Sequence, residues 1–333
     1  MFEIPVLLVL IVLVALVFDF TNGAHDCANA IATVVSTKVL SPRTAVIMAA
    51  VLNLGGALLG TEVAKTLGSG IVHPGVVAGS HVLVPAALAG AIAWNLITWH
   101  FGIPSSSSHA LIGGLIGAAV ADAGFSSLNG MSIVHKVLLP LIISPLSGFI
   151  AGFLCMWLLY WLFARVNRGA VNRSFRKLQI LSAGFMAVSH GLNDAQKTMG
   201  IITLALVVFG QLETVEVPLW VKLACASAMA AGTAIGGWKI VRTMGHRIFK
   251  LEPVHGFAAE TSASLVICGA SLAGAPISTT HTITACIFGV GSTKRLSAVR
   301  WGVAGNLVVA WVLTIPAAAG ISWISFHLLR LLW

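Results

Sequence analysis

The sequence predicts an all-α membrane protein: a polytopic helical bundle of two inverted-topology repeats, with broken helices and some spans that can be re-entrant hairpins. Three observations predict it. Hydrophobic residues make up 58% of the 333 and charged residues only 9%. An ordinary soluble domain carries roughly 25% charged residues, so most of this chain has lipid or protein for its solvent. Uncharged apolar runs recur from end to end, each near the roughly 20 residues that one helical crossing needs. Finally, two polar motifs occur twice, in the same order and at nearly the same separation.

The first run, Ile4 to Val17, has only Glu3 as a charge ahead of it, with no basic start and no A-x-A-like cleavage site. It is expected to be a retained helix rather than a signal peptide. Further spans are expected near 43–60, 82–100, 104–121 and 137–164, after a long first one at 4–35. A second set follows near 178–210, 219–237, 255–274, 276–291 and 300–320. The basic stretch ARVNRGAVNRSFRK, 164–177, divides the chain into a first repeat, 1–163, and a second, 178–333, and reads as a cytoplasmic linker. Five crossings per half is odd, so the second copy must be inverted. Placing 38–43, 165–177, 238–250 and 292–300 on one side collects most of the 19 lysines and arginines there, as the positive-inside bias requires. That bias also accounts for the formal charge of +9, and no nucleic-acid partner is expected. The five cysteines stand singly, without a C-x-x-C pair, and read as small packing residues.

NGAHDCANA (22–30) falls on HGLNDAQKT (190–198), pairing Gly23 with Gly191 and Asp26 with Asp194. Each copy lies in a first span longer than one straight crossing, so a helix break is expected at the motif glycine. Asp26 and Asn29 share a helix face, and Asn193, Asp194 and Gln196 stand opposite in the second copy. Two such faces brought together suit a hard monovalent cation or a proton. A lone intramembrane Asp is as often a helix cap or an interhelical hydrogen bond; duplication weighs against that reading.

PSSSSH (104–109) falls on PISTTH (276–281). Pro104 and Pro276 suit a first helical turn, so Ser106, Ser107, Ser108, Ser278, Thr279 and Thr280 occupy helix starts. Free amides, the positive dipole end and neutral hydroxyls at two converging helix starts would clasp a tetrahedral oxyanion without arginine. Simple capping is the plainer alternative. His25, His109, His281 and Glu62 are candidate proton-relay groups, and Glu260 is a further intramembrane acid with no counterpart in the first half. Gly56-x-x-x-Gly60 and Gly113-x-x-x-Gly117 allow close helix approach and carry no functional signal alone.

With these motifs, GAHDCANA (23–30), GLNDAQKT (191–198), PSSSSH, EPVHGFAAETSASLV (252–266) and PISTTHTIT (276–284), the chain resembles the inorganic phosphate transporter (PiT) family over nearly its whole length. The resemblance implies an inverted-repeat transporter in the cell inner membrane, often a homodimer, that holds phosphate between two hairpin regions with coupling cations beside it. Carried over by position, Asp26, Asn29, Asn193 and Asp194 would form the polar centre, and the six hydroxyl residues would hold the anion. His25 departs from the family motif, and so does Gln196-Lys197. An ammonium where a sodium ligand would sit favours a proton as the coupling ion over sodium. No cofactor or metal is expected, and no enzymatic activity. The expected function is a symporter importing phosphate with protons by alternating access. Sulfate carried in the same way is the alternative substrate, and sodium the alternative coupling ion. An intramembrane serine hydrolase is disfavoured because Ser108 and His109, as helix neighbours, point about 100° apart. A passive channel has no need of paired buried carboxylates.

Overall fold

The computed structural model describes residues 4–67, 71–72, 76 and 80–331. Its helices are α1 (Ile4–Ser36), α2 (Pro42–Ala57), a short α3 (Glu62–Leu67), α4 (Leu83–Phe101), α5 (Ser107–Ala123) and α6 (Leu139–Leu162). The second half contributes α7 (Arg168–Val208), α8 (Leu219–Ile235), α9 (Pro253–Leu272), α10 (Thr279–Lys294) and α11 (Trp301–Arg330). Each expected span corresponds to one of these. Stretches 6–36, 83–101, 130–162 and 301–330 are long and apolar enough by themselves to cross a membrane. A further pair, 219–235 and 238–247, is bent by 62° and passes the same test jointly.

Local chemistry sets the helix ends. Ser41 accepts the Thr44 amide at 3.2 Å ahead of Pro42, which starts α2. Glu252 and His255 make a reciprocal capping box at the start of α9. Gly102 and Gly274 close α4 and α9 with the same left-handed φ of 68°. That conformation strains any residue with a Cβ, and it turns the chain sharply toward the next helix start.

Two expectations need correction. The basic linker is not a loop: from Arg168 onward it is the first turns of α7, which runs 41 residues without interruption. Such a helix is about 60 Å long, twice the hydrocarbon thickness, so its arginine-rich start projects well beyond the apolar layer. Nor is either motif helix broken. α1 passes through Gly23 and α7 through Gly191 with helical backbone throughout. These glycines serve close contact instead: a Cβ on Gly23 would lie 2.2 Å from the Met229 carbonyl oxygen, and one on Gly191 equally close to that of Asn53. Regular helix is interrupted elsewhere, at the extended approaches to α5 and α10 and at the π-helical turns 134–138 and 243–247.

The close contacts come in exchanged pairs. Gly56 of α2 meets Val188 of α7, while Gly232 of α8 meets Phe20 of α1. In the same way α5 packs on α11 and α10 on α6. Each half therefore docks on the other through matching helix pairs, and α1 packs against α7. The outward faces carry exposed Leu154, Trp157 and Trp161 on α6 and Val308, Val312 and Leu313 on α11. Buried polar residues instead line α1 and α7, which is the inside-out arrangement of a membrane bundle with a polar centre.

Candidate functional site

α5 and α10 begin in matching ways. Ser106 and Ser278 are extended N-cap residues, and each accepts the backbone N–H of the histidine three residues on, His109 or His281, at 3.2 Å. For these two of the six hydroxyl residues the capping reading is the observed one. The other four point to the motif helices. Ser107 Oγ donates to Asp26 Oδ2 at 3.1 Å, and Thr280 Oγ1 to Asp26 Oδ1 at 3.2 Å. Thr279 Oγ1 donates to Asp194 Oδ2 at 2.7 Å. Ser108 accepts from the Lys197 ammonium.

Lys197 occupies, in the second motif, the position of Asn29 in the first. Asn29 Nδ2 donates to Thr279 and Thr280 at 3.2 and 3.0 Å. Lys197 reaches Ser108 at the corresponding place on the opposite helix start, donates to the Ile277 carbonyl at 3.0 Å, and forms a buried ion pair with Asp194. Burying a charge is costly unless it is paired and hydrogen-bonded, and here three partners saturate the ammonium. His190 Nε2 adds a second contact to Asp194, 3.0 Å from Oδ2, while its Nδ1 meets Asn53 Oδ1 at 3.1 Å. One ligand atom each of Asp26, His190 and Asp194 fall within 4.8 Å of one another. The twin carboxylates thus share one small buried volume.

The remaining candidates divide. His25 places Nδ1 2.6 Å from Asp26 Oδ1 and Nε2 3.0 Å from Thr98 Oγ1, which in turn accepts from Ser105. Asn193 makes the matching bond in the second half, to Ser271 at 2.7 Å. It therefore anchors α7 on α9 and makes no bond to the carboxylates. His109 and His281 lie side by side with ring centroids 4.9 Å apart, and His281 stacks on Trp311 at 4.1 Å.

Two sites expected from the sequence are corrected. Gln196 faces away from the carboxylates: its Oε1 accepts the amides of Val63 and Ala64 at 2.8 and 3.3 Å and so caps α3. One residue along a helix turns a side chain by about 100°, so Gln196 cannot share the face of Lys197. Gln196→Ala is expected to cost about 1 kcal/mol through the lost cap. Thermal unfolding of the variant in detergent checks this, and an unchanged midpoint would contradict it. Glu62 is exposed at the start of α3 and paired with Lys65 at 2.9 Å, outside the buried cluster. Glu260 is fully buried and accepts from Thr33, Ser182 and Gln179.

Sequence reasoning left out Ser105, Thr98, His190 and Asp19. Polar residues one and two turns before the motif aspartates, on the same helix face, are the signal that would have found the last two.

Residues 22–170 and 164–322 each match the family model described as the phosphate transporter family. A probable low-affinity inorganic phosphate transporter of Rhizobium meliloti (strain 1021) is 53% identical over 318 residues, covering 95% of this chain and 94% of its own length. One of Bacillus subtilis (strain 168) is 47% identical over 98% of both chains. Among solved structures, one named as a sodium-dependent phosphate transporter superposes with a TM-score of 0.85 at 25% identity, covering 98% of this chain and all of its own. These relatives are transporters and not enzymes. On the family match and on these identities over nearly its full length, the chain belongs to the phosphate transporter family.

Proposed function

We propose that this protein is a secondary active symporter that imports inorganic phosphate across the cytoplasmic membrane, driven by protons, by alternating exposure of the site between α5 and α10. The proposal includes an inverted relation between the two halves and a membrane unit of two chains. The observation that carries it is the contact of Lys197 with both Asp194 and Ser108, which puts a lysine side chain between a carboxylate and one of the two helix starts.

Charge balance supports the coupling. Asp26 and Asp194 against Lys197 leave the centre one negative charge in excess, and a phosphate monoanion adds another. Excess charge in a dry centre has to be neutralised by a co-bound cation. Phosphate replaces the carboxylates as the partner of Ser107, Ser108, Thr279 and Thr280, and its own P–OH groups donate to Asp26 and Asp194. Sulfate brings no proton to donate at neutral pH, so the same carboxylates disfavour it.

Sodium is the second reading, favoured by the clustering of Asp26, His190 and Asp194 and by the sodium dependence that the solved relative's name carries. Uptake by purified protein in liposomes separates the two. An inward proton gradient should drive accumulation without sodium, uptake should rise as the external solution is acidified, and a protonophore should abolish it. A strict sodium requirement with no response to pH would reject proton coupling. Unlabelled sulfate should compete poorly with labelled phosphate.

A further inference from the structure

Asp19 lies on α1 two helical turns before Asp26, about 10 Å along the axis and on the same face. Its surroundings are unlike those of the other acids at the centre. It is fully buried, yet neither carboxylate oxygen has a hydrogen-bond partner. Asn22 on α1, Thr198 on α7 and Cys225 on α8 stand around it. Among the described residues the charged side chain that acts on it is Asp194, of like sign, and Cys225 is the other titratable group facing it. Among those residues no lysine, arginine or histidine forms an ion pair with it. The Asn22 Oδ1 and Thr198 Oγ1 atoms beside it also lack partners.

Compare Asp26 and Asp194. The first accepts from Ser107 and Thr280 and faces His25; the second has Lys197, Thr279 and His190. Both therefore have donors from the protein around their oxygens. With only neutral neighbours and the like-charged Asp194 around it, an ionised Asp19 would be a buried charge without a counter-ion, which a carboxyl group avoids by binding a proton. Release of that proton needs the local arrangement to change, which is what coupling requires.

We propose that Asp19, rather than Asp26 or Asp194, carries the coupling proton: one proton adds to the carboxylate on the outward side and leaves it on the inward side, with phosphate bound two turns away. This rests on the proton-coupled reading above. Asp19 touches no phosphate group, so exchange of phosphate across the membrane, which needs no net proton movement, should survive its neutralisation.

The test uses purified full-length protein in liposomes with trapped pyranine. In wild type, added phosphate should acidify the lumen. In Asp19→Asn and Asp19→Ser, phosphate-evoked acidification and accumulation should fall about tenfold or more, and the pH dependence of uptake that remains should follow the monoanion fraction of phosphate alone. Phosphate–phosphate exchange should persist, and Asp19→Glu should restore acidification. Proton-coupled accumulation in both neutral variants would overturn the assignment to Asp19 alone. Loss of exchange in both would also overturn it, because Asp19 would then belong to the fold or to the phosphate site. A wild type that needs sodium and moves no protons would remove the underlying reading itself.

Discussion

Lys197→Met is expected to abolish phosphate uptake and to lower stability by about 3–5 kcal/mol, the usual cost of removing one member of a buried ion pair. The methionine stem fills the lysine's path, so packing is nearly kept and the loss is electrostatic. Asp194 retains Thr279 and His190 but loses its lysine partner. Ser108 and the Ile277 carbonyl lose a shared donor. The double variant Lys197→Met with Asp194→Asn removes the pair instead of breaking it, and should recover most of the stability but none of the transport. Thermal unfolding in detergent and uptake in liposomes read the two effects separately. Additive destabilisation in the double variant would mean that the pair is not coupled in this way.

Asp26→Asn is expected to reduce phosphate uptake about tenfold to a hundredfold and to narrow the preference for phosphate over sulfate. That range follows from losing a charged acceptor worth about 1–3 kcal/mol, at about 1.4 kcal/mol per factor of ten. Asparagine keeps the shape, but Ser107 and Thr280 donate to different oxygens of Asp26, so only one of them keeps a carbonyl acceptor. Asparagine presents N–H where a phosphate P–OH would donate, and sulfate loses a repelling charge. Competition of labelled phosphate uptake by sulfate measures the change, and an unaltered sulfate inhibition would contradict the role given to Asp26. The same substitution also strips the anion from His25, which approaches Asp26 at 2.6 Å. Its effect should therefore exceed that of His25→Gln.

Much of this is legible in the sequence because duplication makes a pattern testable against itself. Asp26 with Asp194, Ser106 with Ser278, and the spans on either side emerge from sliding one half over the other. The structure brings those residues together through contacts more than eighty residues apart in the chain. What duplication hides is whatever occurs once. Asp19 has Ala187 at the matching position, so the repeat lends it no support. Which way a helical side chain faces is also out of reach, since it depends on rotation about the axis. Gln196 and Lys197 are neighbours with opposite fates for that reason. Glu62 misleads because its flanks are apolar, whereas a six-residue helix at the surface leaves its carboxylate in the open. The motif glycines suggest breaks, although a glycine in a membrane helix as often marks a near approach of another backbone.

Central to all of this is a tetrahedral oxyanion clasped between the starts of α5 and α10, over Asp26, Asp194 and Lys197. Arsenate has the shape and charge of phosphate and scatters anomalously, so crystals grown with it locate the anion by the arsenic signal alone. The expected result is one strong peak within hydrogen-bond reach of Ser107, Ser108, Thr279 and Thr280, lost in Lys197→Met. A peak elsewhere in the bundle, with those hydroxyls still bonded to the carboxylates, would contradict that placement and the mechanism built on it.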